Sequence, residues 1–182
     1  MARVGAFFVL LTTALIFGCV AVSSVEPLGE RPKEISRDEW DGTWIHKNHS
    51  VTIKVLDAPK GLLQMAWVEE KEGSLKLESY QISIRESGGW IFGNVKEKEG
   101  SAPYYWALIK KDKGQIIAWT PDPSHFRKLI QTGVVRGKME KYDVVLEQLT
   151  PEQLKIILSG DKGVCFEWQN PVVFFRLGKE LK

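Results

Sequence analysis

The chain is poor in cysteine, in histidine and in net charge. Its 182 residues include two cysteines and three histidines, and 25 lysine and arginine residues nearly balance 23 aspartate and glutamate residues. Two cysteines cannot build the disulfide framework of a small secreted scaffold. A nearly neutral chain also lacks the basic surface that binds nucleic acid through its phosphates. We therefore expect a domain stabilised by its hydrophobic core, with no nucleic-acid partner.

The sequence also lacks the signatures of common catalytic and cofactor sites. Ser83, Ser87 and Ser159 stand outside any Gly-x-Ser-x-Gly context, and no glycine-rich phosphate loop is followed by Lys-Ser/Thr. His46 and His49 have the spacing of a ligand pair, but a zinc site needs three or four ligands. We expect no metal, no cofactor and no enzymatic activity; a hydrolase without a recognisable motif is the remaining enzyme alternative.

The N-terminus has the pattern of an export signal. Arg3 precedes an apolar run over residues 4–17, which is shorter than the ~20 residues that cross a bilayer as a helix. The run leads into Ile16, Gly18 and Cys19, which resemble the bacterial lipobox: a branched aliphatic residue, a small residue and the acceptor cysteine. The resemblance implies cleavage before Cys19 and a diacylglyceryl group on its sulfur.

Lipidation at Cys19 divides the chain into three parts. We expect a signal peptide over residues 1–18, a flexible tether over residues 19–33, and a single domain over residues 34–182. In lipoproteins of this kind, an aspartate after the cysteine is typical of the inner membrane, so Val20 favours the outer membrane. Cys165 then has no disulfide partner and is expected to be a small buried hydrophobe. The alternative is a secreted protein cut later, for instance after Ala21.

Short strands dominate the rest of the chain. Six stretches are predicted as strands, the first three by period-two alternation: residues 51–55, 63–67, 80–84, 90–95, 104–109 and 115–119. The phase of the alternation changes between Leu77 and Tyr80, which predicts a bulge or a break. Glycine-containing turns separate the strands. The spacing predicts a mainly β fold, an antiparallel meander that curls into a sandwich or closes into a barrel.

Short helices are expected at three places. Residues 36–39 have capping-box spacing, which predicts a single helical turn near Trp40. Two further helices precede the last strands; Asp122 caps the first and Thr150 the second, each followed by a proline. Four more short strands are expected around these two helices: residues 134–139, 142–146, 164–168 and 172–177.

Gly42-Thr43-Trp44 opens the first barrel strand, directly after the helical turn. This Gly-x-Trp resembles the lipocalin signature, in which a basic residue from the end of the barrel packs over the tryptophan. Arg176, on the last predicted strand, is placed to form that cation–π pair. The resemblance implies a lipocalin-like barrel in a broad sense, because here the helices precede the last strands instead of following the eighth. The chain is also similar to bacterial lipoproteins built in this way.

The aromatic residues suggest a ligand site. Met65, Trp67, Tyr104 and Trp106 are the candidates to line an apolar cavity, with core packing as the alternative for each. We expect a membrane-anchored envelope lipoprotein that binds a small apolar ligand in its barrel. The alternative is an interaction, assembly or inhibitor module of the envelope with a filled core. An internal cavity of a few hundred Å³ would favour the ligand, and an exposed apolar patch would favour the protein partner.

Overall fold

The computed structural model describes residues 21–47, 49–71, 73–96, 103–140, 143–161 and 163–178. The expected lipidation site and its recognition residues, Ile16, Gly18 and Cys19, lie outside the described residues. In the described part of the chain, no helix has the length and apolar character needed to cross a membrane.

Strands account for most of the described chain. They are β1 (Val22–Ser24), β2 (Arg31–Pro32), β3 (Gly42–His46), β4 (His49–Asp57), β5 (Leu62–Lys71), β6 (Ser74–Ser87), β7 (Trp90–Lys96), β8 (Tyr104–Asp112), β9 (Gln115–Trp119), β10 (Gly137–Glu140), β11 (Asp143–Leu146) and β12 (Val172–Arg176). The helices are α1 (Arg37–Trp40), α2 (Pro123–Gln131) and α3 (Pro151–Ser159). The predicted mainly β fold is confirmed, and α1 lies where the helical turn was expected.

Eight of the strands close into an antiparallel barrel. Each strand from β3 to β9 pairs with the next along the chain, and β12 pairs with both β9 and β3. The predicted meander barrel, with α2 and α3 inserted late in the chain, is therefore confirmed. The strand expected over residues 164–168 is wrong, because Phe166 forms only a single isolated bridge with Pro121. That stretch turns to bury Phe166 against the outside of the barrel.

The bulge expected between Leu77 and Tyr80 is also wrong. β6 pairs with β5 in unbroken register from Leu62↔Ser83 to Lys71↔Ser74. Because side chains alternate across a strand, Leu75 and Leu77 lie on the opposite face of the sheet from Tyr80. The change in the phase of the apolar–polar alternation therefore arises because one regular strand carries apolar residues on both of its faces.

The N-terminal stretch of the described chain is built into the fold. β1 pairs antiparallel with β8 and parallel with β11, and all three of its residues are buried. The Leu28 backbone N–H donates to Asn94 Oδ1 at 2.7 Å, and Asn94 Nδ2 donates back to the Leu28 carbonyl at 3.0 Å. β2 then pairs with β6. The expected flexible tether over residues 19–33 is therefore corrected from Ala21 onward, where the chain packs against the barrel.

Two hydrophobic clusters stabilise the fold. The inner cluster lies inside the barrel and contains Ile35, Trp40, Trp44, Val51, Ile53, Val55, Leu63, Met65, Trp67, Ile84, Ile116 and Phe174. The outer cluster lies against the outward faces of β7 and β8 and contains Val22, Leu28, Phe92, Trp106, Leu108, Phe126, Leu129, Val135, Val144, Leu146, Leu154, Ile157, Cys165 and Phe166. β7 and β8 are consequently covered on both faces: Phe92 and Leu108 belong to the outer cluster, while Ile91 and Ile109 pack on the inner one.

Candidate functional site

The end of the barrel next to α1 is closed by Trp44. Its side chain is fully buried, and its Nε1 donates to the Trp40 carbonyl at 3.0 Å. The Arg176 guanidinium carbon lies 5.7 Å from the centroid of the Trp44 ring, which is the contact that the sequence predicted. Arg176 also donates to the carbonyls of Asp38, at 2.6 Å, and Asp41. The arginine thus ties the last barrel strand to α1 and seals this end.

The glycine of the Gly-x-Trp motif is required by the same contact. Gly42 has a φ of +142°, and a Cβ at this position would lie 3.3 Å from Arg176 Nε. A side chain would therefore crowd the guanidinium that packs on the Trp44 ring and strain the backbone. Arg37 adds a clamp, because its Nη1 donates to the Val55 carbonyl at 2.7 Å. These contacts describe a structural closure of the barrel.

The interior contains two of the four residues predicted to line a ligand cavity. Met65 and Trp67 belong to the inner cluster, where they are 9% and 6% exposed. The ring of Trp67 stacks on that of Tyr80, with centroids 5.4 Å apart and planes 12° apart. Tyr80 itself packs against the inner cluster from the end opposite Trp44. The structure therefore brings Met65 and Trp67 together inside the barrel.

The other two candidates lie on the outward face of β8. Trp106 is part of the outer cluster and makes edge-to-face contacts with Phe126 at 5.7 Å and Phe166 at 5.9 Å. Tyr104 shares the outward face by alternation, and Lys96 Nζ lies 5.5 Å from its ring centroid. Neither residue joins Met65 and Trp67 in the barrel. Ligand binding by any of the four stays a prediction.

The end of the barrel opposite Trp44 holds the histidine pair. His46 and His49 face each other across β3 and β4. The His46 ring packs on Phe174 with centroids 5.3 Å apart, and its Nδ1 lies 2.8 Å from the Val173 carbonyl oxygen. Among the described residues, no group of three or more histidine, cysteine, aspartate or glutamate residues is placed to hold a metal ion.

Two surface clefts lie outside the barrel wall. The larger, about 320 Å³, lies between the connection from β1 to β2 and the start of α3, and Arg85, Glu147 and Leu149 contribute to its lining. The smaller, about 240 Å³, lies beside β2 and the turn from β6 to β7. No inner-cluster residue lines either cleft, so neither opens into the barrel.

Cys165 is a structural thiol of the outer cluster. It is 2% exposed, and burial, reinforced by the nearby charge of Asp122, raises its pKa to about 11 from an ordinary value of 9.0. Because the thiolate is the nucleophilic form, this group is unreactive at neutral pH. Asp122 caps α2, where its Oδ1 accepts from the backbone N–H of Ser124 at 2.9 Å and of His125 at 3.4 Å.

A hairpin formed by β5 and β6 continues past the described parts of the neighbouring strands. The last described pair between β4 and β5 is Thr52↔Ala66, and the last between β6 and β7 is Ile82↔Val95. β5 and β6 then pair for five further positions, from Trp67↔Glu78 to Lys71↔Ser74. We call residues 67–71 and 73–78 the projecting hairpin.

The outer face of the projecting hairpin is apolar and exposed. Val68, Leu75 and Leu77 are 61%, 77% and 72% exposed, and Val68 lies directly opposite Leu77 in the register. Glu70, opposite Leu75, lies on the same face. We call Val68, Leu75 and Leu77 the hairpin patch. Sequence reasoning missed it, although the change of alternation phase after Leu77 was its signal.

Comparison with known proteins supplies no relative. No protein-family model, no curated protein and no solved structure matches the chain. The eight-stranded antiparallel barrel is compatible with the lipocalin-like barrel implied by Gly-x-Trp, and this compatibility concerns architecture alone.

Proposed function

We propose that this chain is an envelope lipoprotein, anchored in the outer membrane through Cys19, whose barrel is a scaffold that presents the projecting hairpin to a protein partner. One observation carries the proposal: the barrel interior is occupied by buried side chains, while three aliphatic side chains are exposed together on the projecting hairpin. Exposed apolar patches on a stable domain are typical of interaction sites. The activity proposed is binding, without catalysis.

The chemistry of the hairpin patch defines the partner surface. Val68, Leu75 and Leu77 would form the apolar centre of an interface, because burial stabilises a complex by roughly 25 cal/mol for each Å² of apolar surface removed from water. Glu70 lies on the rim, as does the pair in which Gln64 Nε2 donates to Ser79 Oγ at 2.7 Å. An apolar centre with a polar rim is the usual anatomy of a protein interface. The partner is therefore a protein with an aliphatic surface and a basic group for Glu70.

Site-specific photo-crosslinking tests the hairpin patch in the full chain. A photoreactive residue replaces Leu75, and we expect an adduct with one protein of defined mass in intact envelopes. The Leu77→Ser substitution in the same chain should remove most of this adduct, because it deletes the apolar neighbour without entering the core. Leu56→Ser is the matched control, since Leu56 is an exposed aliphatic residue of β4 away from the patch.

Three outcomes contradict the interaction. They are no protein adduct, an adduct that is insensitive to Leu77→Ser, or crosslinking to lipid alone. The purified partner should also bind the full chain directly, with at least about tenfold weaker affinity for Leu77→Ser, which corresponds to about 1.4 kcal/mol.

The anchor is tested separately. Cys19→Ala should abolish metabolic labelling by a lipid precursor and release the protein from membranes, because the acyl chains supply stable attachment. Membrane association that is unchanged in Cys19→Ala would contradict the anchor and would leave the hairpin result standing.

A second candidate function is favoured by the Trp67–Tyr80 stack. An aromatic pair toward the end of the barrel opposite Trp44, in which Trp67 is buried and Tyr80 is partly exposed, suits a small apolar ligand that contacts only this end. Native mass spectrometry of the full chain after exposure to envelope extract tests this. A bound small molecule that is lost in Tyr80→Ala and kept in Leu77→Ser would favour the ligand over the protein partner.

A further inference from the structure

We infer that the barrel lies directly on the bilayer surface, with the edge formed by β10 and β11 against the lipid headgroups. The occupant of this surface is the headgroup layer of a phospholipid bilayer. The inference rests on the lipidation of Cys19 in the proposed function, and it goes further by assigning the face that meets the membrane.

Ala21 is the first described residue, and it is already fixed to the fold. Its backbone N–H donates to Asp143 Oδ1 at 3.0 Å, and its carbonyl accepts from the Val144 N–H at 2.8 Å. The next residue, Val22, is 4% exposed and belongs to the outer cluster. The start of β1 is therefore held by hydrogen bonds and by packing together.

The covalent chain then limits the distance to the lipid. Two residue steps separate Cys19 from Ala21, and an extended chain covers at most about 7 Å in two steps. A free tether over residues 20–33 would instead have a typical end-to-end distance of roughly 20 Å. A diacylglyceryl group on Cys19 therefore holds Ala21 close to the headgroup layer, so the domain cannot be separated from the membrane surface by a long tether.

The neighbours of Ala21 identify the face that touches the lipid. Val22 pairs with Val144, which in turn pairs with Met139 of β10. Met139 is 49% exposed and lies two strand spacings from β1, about 10 Å. The ion pair between Lys138 and Glu140 flanks it. This edge combines an exposed apolar side chain with charges of both signs, which suits the zwitterionic headgroup region.

The same arrangement directs the opposite side of the barrel away from the membrane. β1 attaches to β8, and in the ring of eight strands β4 lies opposite β8. β5, which carries half of the projecting hairpin, is the neighbour of β4. Contact of the β10–β11 edge with lipid therefore leaves the hairpin patch open to a partner.

Quenching by a headgroup nitroxide tests the orientation in the full chain. The protein is purified from the membranes of an expressing bacterium and reconstituted into phosphatidylethanolamine–phosphatidylglycerol vesicles that contain the nitroxide lipid. A fluorophore is attached to Met139→Cys, with Leu56→Cys on β4 as the matched control. Burial protects Cys165 from the label. We expect quenching at position 139 to exceed that at position 56 at least twofold.

A linker variant sharpens the test. An insertion of Gly-Ser repeats between Cys19 and Val20, about as long as the tether first expected, restores a coil of roughly 20 Å. Quenching at position 139 should then fall toward the value at position 56. Equal quenching at both positions in the parent protein would overturn the orientation.

Mass spectrometry of the same samples separates this inference from the proposed function. A diacylglyceryl mass on Cys19 combined with equal quenching overturns only the orientation, and the anchor stands. Absence of that mass overturns both the anchor and the orientation, whereas the crosslinking result at the hairpin patch is independent of either.

Discussion

The inner and outer clusters bury similar side chains, but they assemble them by different routes. The inner cluster draws mostly on alternate positions of neighbouring barrel strands, so its contacts repeat with the period of the sheet. The outer cluster joins β1 to α2, β11 and α3, which follow it roughly a hundred residues or more later in the chain. β7 and β8 therefore form a wall shared by both clusters, and this barrel has a second core outside it.

The shared wall predicts that the two clusters unfold together. Ile91 and Phe92 are adjacent in the chain and serve opposite clusters, as do Leu108 and Ile109. Displacing β7 or β8 would therefore expose apolar surface on both faces at once. Two units with a common wall cannot open independently without losing part of each other's contacts.

Truncation of one large ring in each cluster gives the largest expected effect. Trp44→Ala and Phe126→Ala should each lower the free energy of unfolding by about 3–5 kcal/mol, since both rings are completely buried. Urea unfolding should be followed by circular dichroism and by thiol labelling of Cys165, which reports on the outer cluster. Coincident midpoints for both probes in both variants would support one cooperative unit.

Labelling of Cys165 well before the loss of strand signal in Phe126→Ala would contradict the shared wall. It would show that the outer cluster opens as a separate unit. A decrease in the free energy of unfolding below about 1 kcal/mol in Trp44→Ala would instead show that the Gly-x-Trp match is accidental, because removal of a ring that closes the barrel should destabilise it more strongly.

The two clusters also differ in how far the sequence predicts them. Period-two alternation predicts strands within β4, β5 and β6, and the resemblance of Gly42, Trp44 and Arg176 to the lipocalin signature predicts the closed end, because these signals are local. β1 gives no such signal: it has three residues, is covered on both faces and depends on distant partners such as Asp143. Its packing is decided by tertiary contacts, which explains why a tether was expected there.

The same limit explains the errors at the candidate sites. Trp106 is a residue type that suits a barrel interior, and only the strand register of the structure shows that its side chain faces outward. The exposed position of Leu75 and Leu77 depends on how far β5 and β6 extend beyond the described parts of β4 and β7, which is set by strand lengths across the sheet. The alternation of side chains along a strand determines which residues share a face. The arrangement of the strands and helices in the fold determines whether that face contacts the barrel interior, the outer cluster or solvent.

One buried tryptophan in each cluster differs in the hydrogen bonding of its indole N–H. Trp44 Nε1 donates to the Trp40 carbonyl, whereas the buried Trp106 Nε1 has no hydrogen-bond partner among the described residues. Trp44→Phe therefore breaks a buried hydrogen bond, and Trp106→Phe removes an unsatisfied donor. We expect Trp44→Phe to cost about 1–2 kcal/mol more of unfolding free energy than Trp106→Phe.

Urea denaturation of the two variants at neutral pH measures this difference. Both substitutions remove the same ring volume, so each is the matched control of the other. Equal decreases in unfolding free energy would show that the hydrogen bond at the closed end makes no net contribution to stability. A larger decrease for Trp106→Phe would show that the Trp106 indole N–H has a hydrogen-bond partner in solution.

The smallest expected effect is a pH dependence confined to the outer cluster. The folded state raises the pKa of Cys165 to about 11, mainly by burial, so the folded chain holds the thiol proton that the unfolded chain releases above pH 9. This contribution to stability is complete below pH 9 and is lost as the pH rises toward 11. The stability difference between the parent and Cys165→Ala should thus be constant from pH 6 to 8 and shrink by about 1 kcal/mol between pH 9 and 10.

Subtracting the unfolding free energy of Cys165→Ala from that of the parent cancels the contributions of the lysines and tyrosines, which titrate in the same pH range. Asp122→Asn is a useful companion variant, because the amide oxygen can still cap α2 while the charge that reinforces the raised pKa is removed. Its alkaline loss should be smaller than that of the parent. A stability difference that stays flat up to pH 11 would mean that Cys165 ionises in the folded state as readily as in the unfolded one, and that water reaches the outer cluster.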